Sequence, residues 1–251
     1  MKKILLFCLD LLLFVFSGIL CASERRGALV LTFDDYGGEN WVRADAVFKK
    51  YDAHATFFVY GNITPEYADV MKKLQDAGHS LGLHTRDHRD AVPLPENIKN
   101  LDEYFMQQVK PQLDACAKYG LKVRSFAYPN SRRSPETDAM LFRYFNFLRS
   151  GLGKNSSPVY WKLSDLKDRM LLTGKVLGKY YKTDLAEVKK MLDVAAAEDS
   201  MILFTSHNIY SNAPSIHMPT EWLEEILRHA RKLNMNIVGI DELESLRKKR
   251  Q

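Results

Sequence analysis

Hydrophobic positions along the chain form short unbroken runs that alternate with stretches of helical spacing. Residues 28–34 are almost continuously apolar, the pattern of a strand buried on both faces. Within residues 40–51, Trp41, Ala44, Val47 and Phe48 recur at helical spacing. Residues 54–60, rich in Thr, Phe and Val, predict a second strand, and 65–78 a helix with Pro in its first turn and Gly just past its end. A third strand falls at 79–83. A longer helix spans 97–119, with Pro111 expected to break or kink it. A fourth strand at 123–128, a helix at 134–144 and a strand at 145–148 follow. Residues 151–181 are the least regular and read as a long insertion holding one short strand around 170–177. Beyond them come a helix at 184–197, a strand at 201–204, a helix around Trp222 to Ala230 and a last strand at 236–240. The chain closes on a helix at 241–247 with Asp241 as its cap. Strands alternate with helices throughout, with no internal repeat and no linker. That order predicts one domain built on a parallel sheet or barrel.

Polar residues break this pattern at one recurring place. Asp34 and Asp35 end the first predicted strand, His84 and His88 follow the third, Tyr128 ends the fourth, and His207 follows the strand at 201–204. Each is the C-terminal end of a strand, the edge where active sites form in barrels and open α/β sheets. His84 and His88 are four apart, a spacing that puts both imidazoles on one face of a helical turn. With a carboxylate they make a common catalytic zinc set that leaves one coordination position open. The plainer alternative is a pair of polar residues in a surface loop. Neighbouring strand residues face opposite ways, so Asp34 and Asp35 share a site only if the chain turns, which Gly37-Gly38 permits.

Other candidates carry less. His54 and His79 open their strands, at the opposite edge. His217 and His229 fall in a loop and a helix, where exposure is the default. Trp222 belongs to a helical stripe and so to the core. Trp161 lies outside any periodic pattern and is the better candidate for a carbohydrate contact. Cys116 is read as a small core residue.

Composition adds bounds. The 251 residues are 46% hydrophobic and 27% charged, ordinary for a globular protein. A net charge of +5 is too small to argue for nucleic acid, and the basic run Arg247 to Arg250 reads as a solvated tail. Met1-Lys2-Lys3, an apolar segment at 4–20 and then Cys21-Ala22-Ser23 match a secretory signal. Residues 1–22 are therefore set apart as a signal peptide and 23–251 as one catalytic domain, secreted, periplasmic or held at the cell envelope. Asp10 argues against a permanent membrane helix, so membrane attachment requires the segment to remain uncleaved. Cys116 is then the one remaining cysteine, and no disulfide framework is available.

Three stretches together resemble a known family. Thr32-Phe33-Asp34-Asp35, His84-Thr85-Arg86-Asp87-His88 and Arg124-Ser125-Phe126-Ala127-Tyr128-Pro129 are similar, in order and spacing, to the first signature motifs of the polysaccharide deacetylases, carbohydrate esterase family 4. The resemblance implies a distorted (β/α) barrel of about seven strands. It also implies metal-dependent removal of acetyl groups from a polysaccharide such as peptidoglycan, a chitin-like polymer or an exported glycan. Asp35, His84 and His88 would hold the metal, zinc first, with cobalt or nickel as alternatives. Asp34 would be the general base, Arg124 the arginine that orients it, the Tyr128 amide the oxyanion donor and His207 the general acid. Two departures stand out. The family's leucine two before the last histidine, which lines the acetyl pocket, is Thr205 here. The fourth motif, an Asp-Trp pair, has no clear counterpart, Tyr160-Trp161 and Asp165 being the nearest residues. These departures keep two rivals open: a non-catalytic carbohydrate-binding relative, and a metal hydrolase of another amide.

Overall fold

The computed structural model describes residues 25–249 apart from 154–155, 182 and 214–215, so the signal segment expected at 1–22 lies outside the described residues. Its strands are β1 (Ala28–Asp35), β2 (Thr56–Val59), β3 (Ser80–Leu83), β4 (Ser125–Ala127), β5 (Phe147–Gly151), β6 (Tyr160–Lys162), β7 (Met170–Val176), β8 (Ser200–Ser206) and β9 (Asn236–Ile237). Seven of them, β1-β2-β3-β4-β5-β7-β8, run parallel, and pairing of β8 with β1 closes the ring. The short β6 lies antiparallel on β8, and β9 adds to β1. This is the distorted barrel the resemblance implies.

The apolar run of β1 is explained by its two buried faces. Leu29, Leu31 and Phe33 pack outward under the helices, while Ala28 and Val30 point into the barrel with Phe58, Phe147, Leu172 and Leu203. Outside the ring lie α1 (Glu39–Lys50), α2 (Pro65–Asp76), α5 (Pro135–Leu141), α6 (Leu185–Ala197) and α7 (Thr220–Lys232). Their N-termini are capped by local side chains in three cases, Thr64, Ser134 and Asp184, as the sequence of each entry turn favours.

Three expectations are corrected. Residues 151–181 are not simply an insertion: the strand expected around 170–177 is present as β7, and it is a full barrel strand paired with β5 and β8. Its outward face carries Thr173 and Lys175, and Lys175 Nζ donates to the Ser156 carbonyl (2.8 Å) to pin the preceding loop. Pro111 does not break its helix. The chain runs through α3 (Leu101–Tyr104), a π-helical turn at Phe105–Val109 and α4 (Lys110–Lys118), so the missing proline N–H falls in the first turn after the widened segment. Finally, α8 (Leu243–Lys248) starts later than expected. Asp241 lies half-buried in a 3₁₀ turn instead of capping, and the Glu242 carboxylate accepts the Gly239 amide (2.8 Å).

At the N-terminal end of the barrel, His79 is fully buried. Its Nδ1 accepts the Ala55 amide (3.1 Å), and its Nε2 faces Asp45 (3.2 Å). A proton on Nδ1 would break the first bond, and burial pushes the imidazole pKa down to about 4 in spite of Asp45. A depressed histidine favours folding above its unfolded pKa of about 6.5, and that contribution is lost as pH falls through about 4. His54, raised by its hydrogen bond to Glu242, acts in the opposite direction. We expect His79 to remove up to ~3 kcal/mol of stability between pH 6.5 and 4. Urea unfolding at pH 7 and 4.5 checks this, since His79→Gln should lose less stability across the window than the native chain. Equal losses would exclude His79 as the source.

Candidate active site

Both aspartates at the end of β1 reach one cavity because of the backbone of Asp35 itself. Asp34 continues the inward-facing series of Ala28, Val30 and Thr32. Asp35 would point away, but its φ of 81° turns the carboxylate back over the barrel mouth. Gly37 serves a different purpose from the turn expected of it. A Cβ there would sit 2.0 Å from the Trp41 indole, and that indole donates to the His207 carbonyl (3.3 Å). The glycine thus lets α1 hold the segment that carries His207.

The two histidines after β3 do come together, though not on a helix. Residues 84–88 form a loop in which Thr85 and His88 have φ of 68° and 53°, and the rings meet at 4.9 Å. Nε2 of His84 lies 3.6 Å and Nε2 of His88 3.5 Å from Oδ1 of Asp35. These separations are too long for hydrogen bonds. They match the roughly 3.3–3.6 Å between ligand atoms arranged tetrahedrally at ~2.0–2.2 Å from a common centre. Oδ1 of Asp35 is buried with no hydrogen-bond partner among the described residues, an otherwise costly state. Nδ1 of His84 donates to the Ala127 carbonyl (2.8 Å), which leaves the Nε2 lone pair facing Asp35, and burial holds this imidazole's pKa down at about 4. A neutral histidine in that tautomer, a second histidine and an unpaired carboxylate oxygen fit a divalent metal, and they are the group among the described residues that does so.

Asp34 is buried against Arg149 of β5, its Oδ1 accepting from Nη2. Burial, the largest single influence, would raise the Asp34 pKa, but the Arg149 guanidinium together with the His84 and His207 imidazoles outweighs it and holds the carboxyl below its ordinary value. The arginine expected in this role was Arg124, and the structure corrects it. Arg124 precedes β4, at the far end of the barrel, where it pairs with Glu244 (2.9 Å). A parallel strand delivers only its C-terminal residues to the mouth. In β4 that residue is Ala127, and its register partner on the next strand is Arg149.

The Tyr128 amide is corrected too. It donates to the Arg149 carbonyl (3.0 Å) and so continues the sheet pairing instead of facing a substrate. The free amide on this wall is that of Asn130, which donates to no acceptor among the described residues. Asn130 and Ser131 both have left-handed backbones, φ 48° and 59°, which turn the chain along the cavity rim.

His207 completes the mouth, with Nε2 3.8 Å from Oδ2 of Asp35 and Nδ1 donating to the Ile216 carbonyl (3.1 Å). Its orienting partner is therefore a carbonyl and not the carboxylate of an Asp-Trp pair. Trp161 is paired with Met201 near the start of β8, at the opposite end, so it is no carbohydrate contact in this cavity. Asp165 sits in the turn just beyond β6, at that same end. His217, expected in solvent, packs beside His207 (ring centroids 6.1 Å) and accepts the Asn208 amide at Nδ1 (3.2 Å). Asp34, Asp35, His84, His88, Arg149 and His207 line one cavity of about 440 Å³, to which Tyr181, Val176 and Thr205 also contribute. Sequence reasoning missed Tyr181, which no local pattern marks. It also missed Arg149, which directly follows the apolar run at 147–148 and so looked like the end of a strand.

Residues 22–143 match the family model described as polysaccharide deacetylase. Over that segment, just under half of its length, the chain is similar to the polysaccharide deacetylases. It is 33% identical over 125 residues to a chitin deacetylase of Arthroderma benhamiae, covering 46% of this chain and 32% of that protein. The chain spans between a quarter and about two fifths of the length of the curated relatives it matches. Among solved structures it resembles the Xyl-CE4 domain of a multidomain xylanase from the hindgut metagenome of Trinervitermes trinervoides. The TM-score is 0.61 at 16% identity, covering 89% of this chain and 91% of that one. A carbohydrate esterase family 4 pseudoenzyme from Bacillus anthracis has the same fold, with TM-score 0.57 at 18% identity and coverage of 87% and 65%. Likeness of this degree establishes the polysaccharide deacetylase fold, and the side chains at the barrel mouth have to carry the rest.

The two arginines provide a test. Arg149→Met leaves the buried Asp34 carboxylate unpaired and should cost about 3–5 kcal/mol of stability at pH 7. Arg124→Met removes a part-exposed pair and should cost less than about 1 kcal/mol. Urea unfolding of both variants measures the difference, and a larger loss for Arg124→Met would reverse the assignment.

Proposed function

We propose that this protein is a metal-dependent hydrolase that removes acetyl groups from an N-acetylated polysaccharide. The observation that carries the reading is the convergence, in one cavity, of a charged buried carboxylate, a metal-fitting triad and an opposed imidazole. The named activities of relatives, chitin deacetylase and peptidoglycan-N-acetylglucosamine deacetylase, support chitin-like or peptidoglycan glycans as the substrate class. The basic and then apolar start of the chain supports export to the envelope or beyond, where such polymers lie.

Asp35, His84 and His88 would hold the metal, with zinc the best fit to a two-histidine, one-carboxylate set and cobalt or nickel next. When bound, the ion supplies Lewis-acid polarisation of the amide and a more acidic water. Asp34, kept ionised by Arg149, accepts the proton of the attacking water. The amide of Asn130, a residue of the cavity wall, has no acceptor among the described residues and would receive the oxyanion. His207 has Nδ1 engaged with Ile216, so Nε2 carries the proton to the leaving amine. Acetate and a free amino sugar result. A non-catalytic carbohydrate-binding role is the second reading, favoured by the carbonyl in place of a carboxylate behind His207.

Asp34→Asn and Asp35→Asn separate the roles. The metal-loaded Asp34→Asn protein should keep its metal and lose about 10²–10⁴-fold in kcat for acetate release from an acetylated chitooligosaccharide. Asp35→Asn, like His84→Ala and His88→Ala, should emerge from dialysis with substoichiometric metal. Loss of metal from Asp34→Asn, with metal and activity retained in Asp35→Asn, would exchange the two assignments. Tight glycan binding without turnover across zinc, cobalt and nickel would favour the binding reading.

A further inference from the structure

The inward face of β8 ends in a side chain that the reaction described above does not use. Met201 and Leu203 of that face are packed in the barrel interior, and Thr205 follows them at the cavity floor. Thr205 is 3% exposed, and its hydroxyl has no hydrogen-bond partner among the described residues. Its register partners are Thr32 on β1 and Val176 on β7. The Thr32 hydroxyl is accounted for, since it donates to the Phe204 carbonyl (3.3 Å). The Thr205 side chain, with its unpartnered hydroxyl, and the Val176 methyls therefore adjoin in the lining of the cavity that also holds Asp34 and His207.

A methyl group gives no reason for that hydroxyl. Valine has nearly the same shape as threonine and would line an acetyl pocket without leaving a buried polar atom unsatisfied. An acyl group bearing its own hydroxyl would supply the missing partner, with its carbon chain against Val176. We infer that the pocket selects a 2-hydroxyacyl amide, an N-glycolyl amino sugar, over the N-acetyl one, and that Thr205 is the specificity-determining residue. The inference rests on reading the site as that of an amidohydrolase. The step is balanced by one water. Its oxygen joins the acyl carbon as the carbon–nitrogen bond breaks, a proton goes to the amine, and glycolate leaves with a free amino sugar.

The test compares N-glycolyl and N-acetyl chitotetraose as substrates of the metal-loaded protein, and titrates glycolate and acetate into it by calorimetry. The native chain should favour the glycolyl substrate about tenfold in kcat/KM, the worth of one hydrogen bond gained in a dry pocket. Thr205→Val should reduce that ratio to near unity, and Thr205→Ser, which keeps the hydroxyl, should preserve it. Glycolate chelates metals by itself, so the calorimetric readout is the part of its preference over acetate that disappears in Thr205→Val. If neither sugar is hydrolysed but that Thr205-dependent preference is present, the pocket inference stands and the hydrolase reading fails. A substrate ratio that is the same in the native chain and both variants overturns the inference, as does a glycolate preference indifferent to Thr205.

Discussion

The ion pair between Asp34 and Arg149 is the constraint around which the barrel mouth is arranged. Both groups are almost wholly withdrawn from water, so each is tolerable only with the other in place. They come from β1 and β5, strands separated by three others on one side of the ring and two on the other, and the contact therefore runs across the barrel interior. Room for the guanidinium is made by small neighbours. Ala127 is its register partner, and the Phe58 ring lies 5.1 Å beneath it. A larger residue at 127 or a shift in the β4–β5 register would displace the arginine and leave a buried carboxylate uncompensated.

Around this pair the backbone departs from regular geometry. Asp35, Thr85, His88 and Asn130 all have positive φ, and all lie at the mouth. Elsewhere the described non-glycine residues with positive φ are aspartates and asparagines, together with Ser131 beside Asn130. Aspartate and asparagine tolerate that region comparatively well. A β-branched threonine does so poorly, and such residues persist where the surroundings over-determine them. Here the His84 amide bonds to the Val59 carbonyl (2.8 Å), and the Thr85 carbonyl accepts the Gly61 amide (3.1 Å). The β2 end and the loop beyond it thus hold the strained turn in place. The effect is to bring two imidazoles and Asp35 to ligand-like separations that no helix supplies.

The same barrel carries both active and inactive relatives, so its architecture does not by itself fix the chemistry. What varies is the small set of side chains delivered by strand ends. In this chain the arginine comes from a neighbouring strand, a backbone carbonyl stands behind His207, and a hydroxyl lies at the cavity floor. Groups delivered in this way to the mouth of a common scaffold are how one fold accommodates different substrates.

The barrel and much of the site were legible in the sequence. A strand buried on both faces must be apolar at consecutive positions, and β1, β2, β3 and β8 announce themselves in that way. A polar residue that ends such a run has few places to go other than the mouth, which located Asp34, Asp35, His84, His88 and His207. β7 was expected as a strand but not as part of the barrel, because its outward Lys175 is satisfied by a loop that local pattern does not reveal. Arg149 was missed because its burial is paid for by a carboxylate 115 residues away, so a charge that looked like a strand's end lies inside the barrel. The occupied Tyr128 amide, the free Asn130 amide and the unpartnered Thr205 hydroxyl were likewise decided by tertiary structure. Hydrogen bonding depends on which strands become neighbours, and sequence periodicity reports only which face of an element is buried.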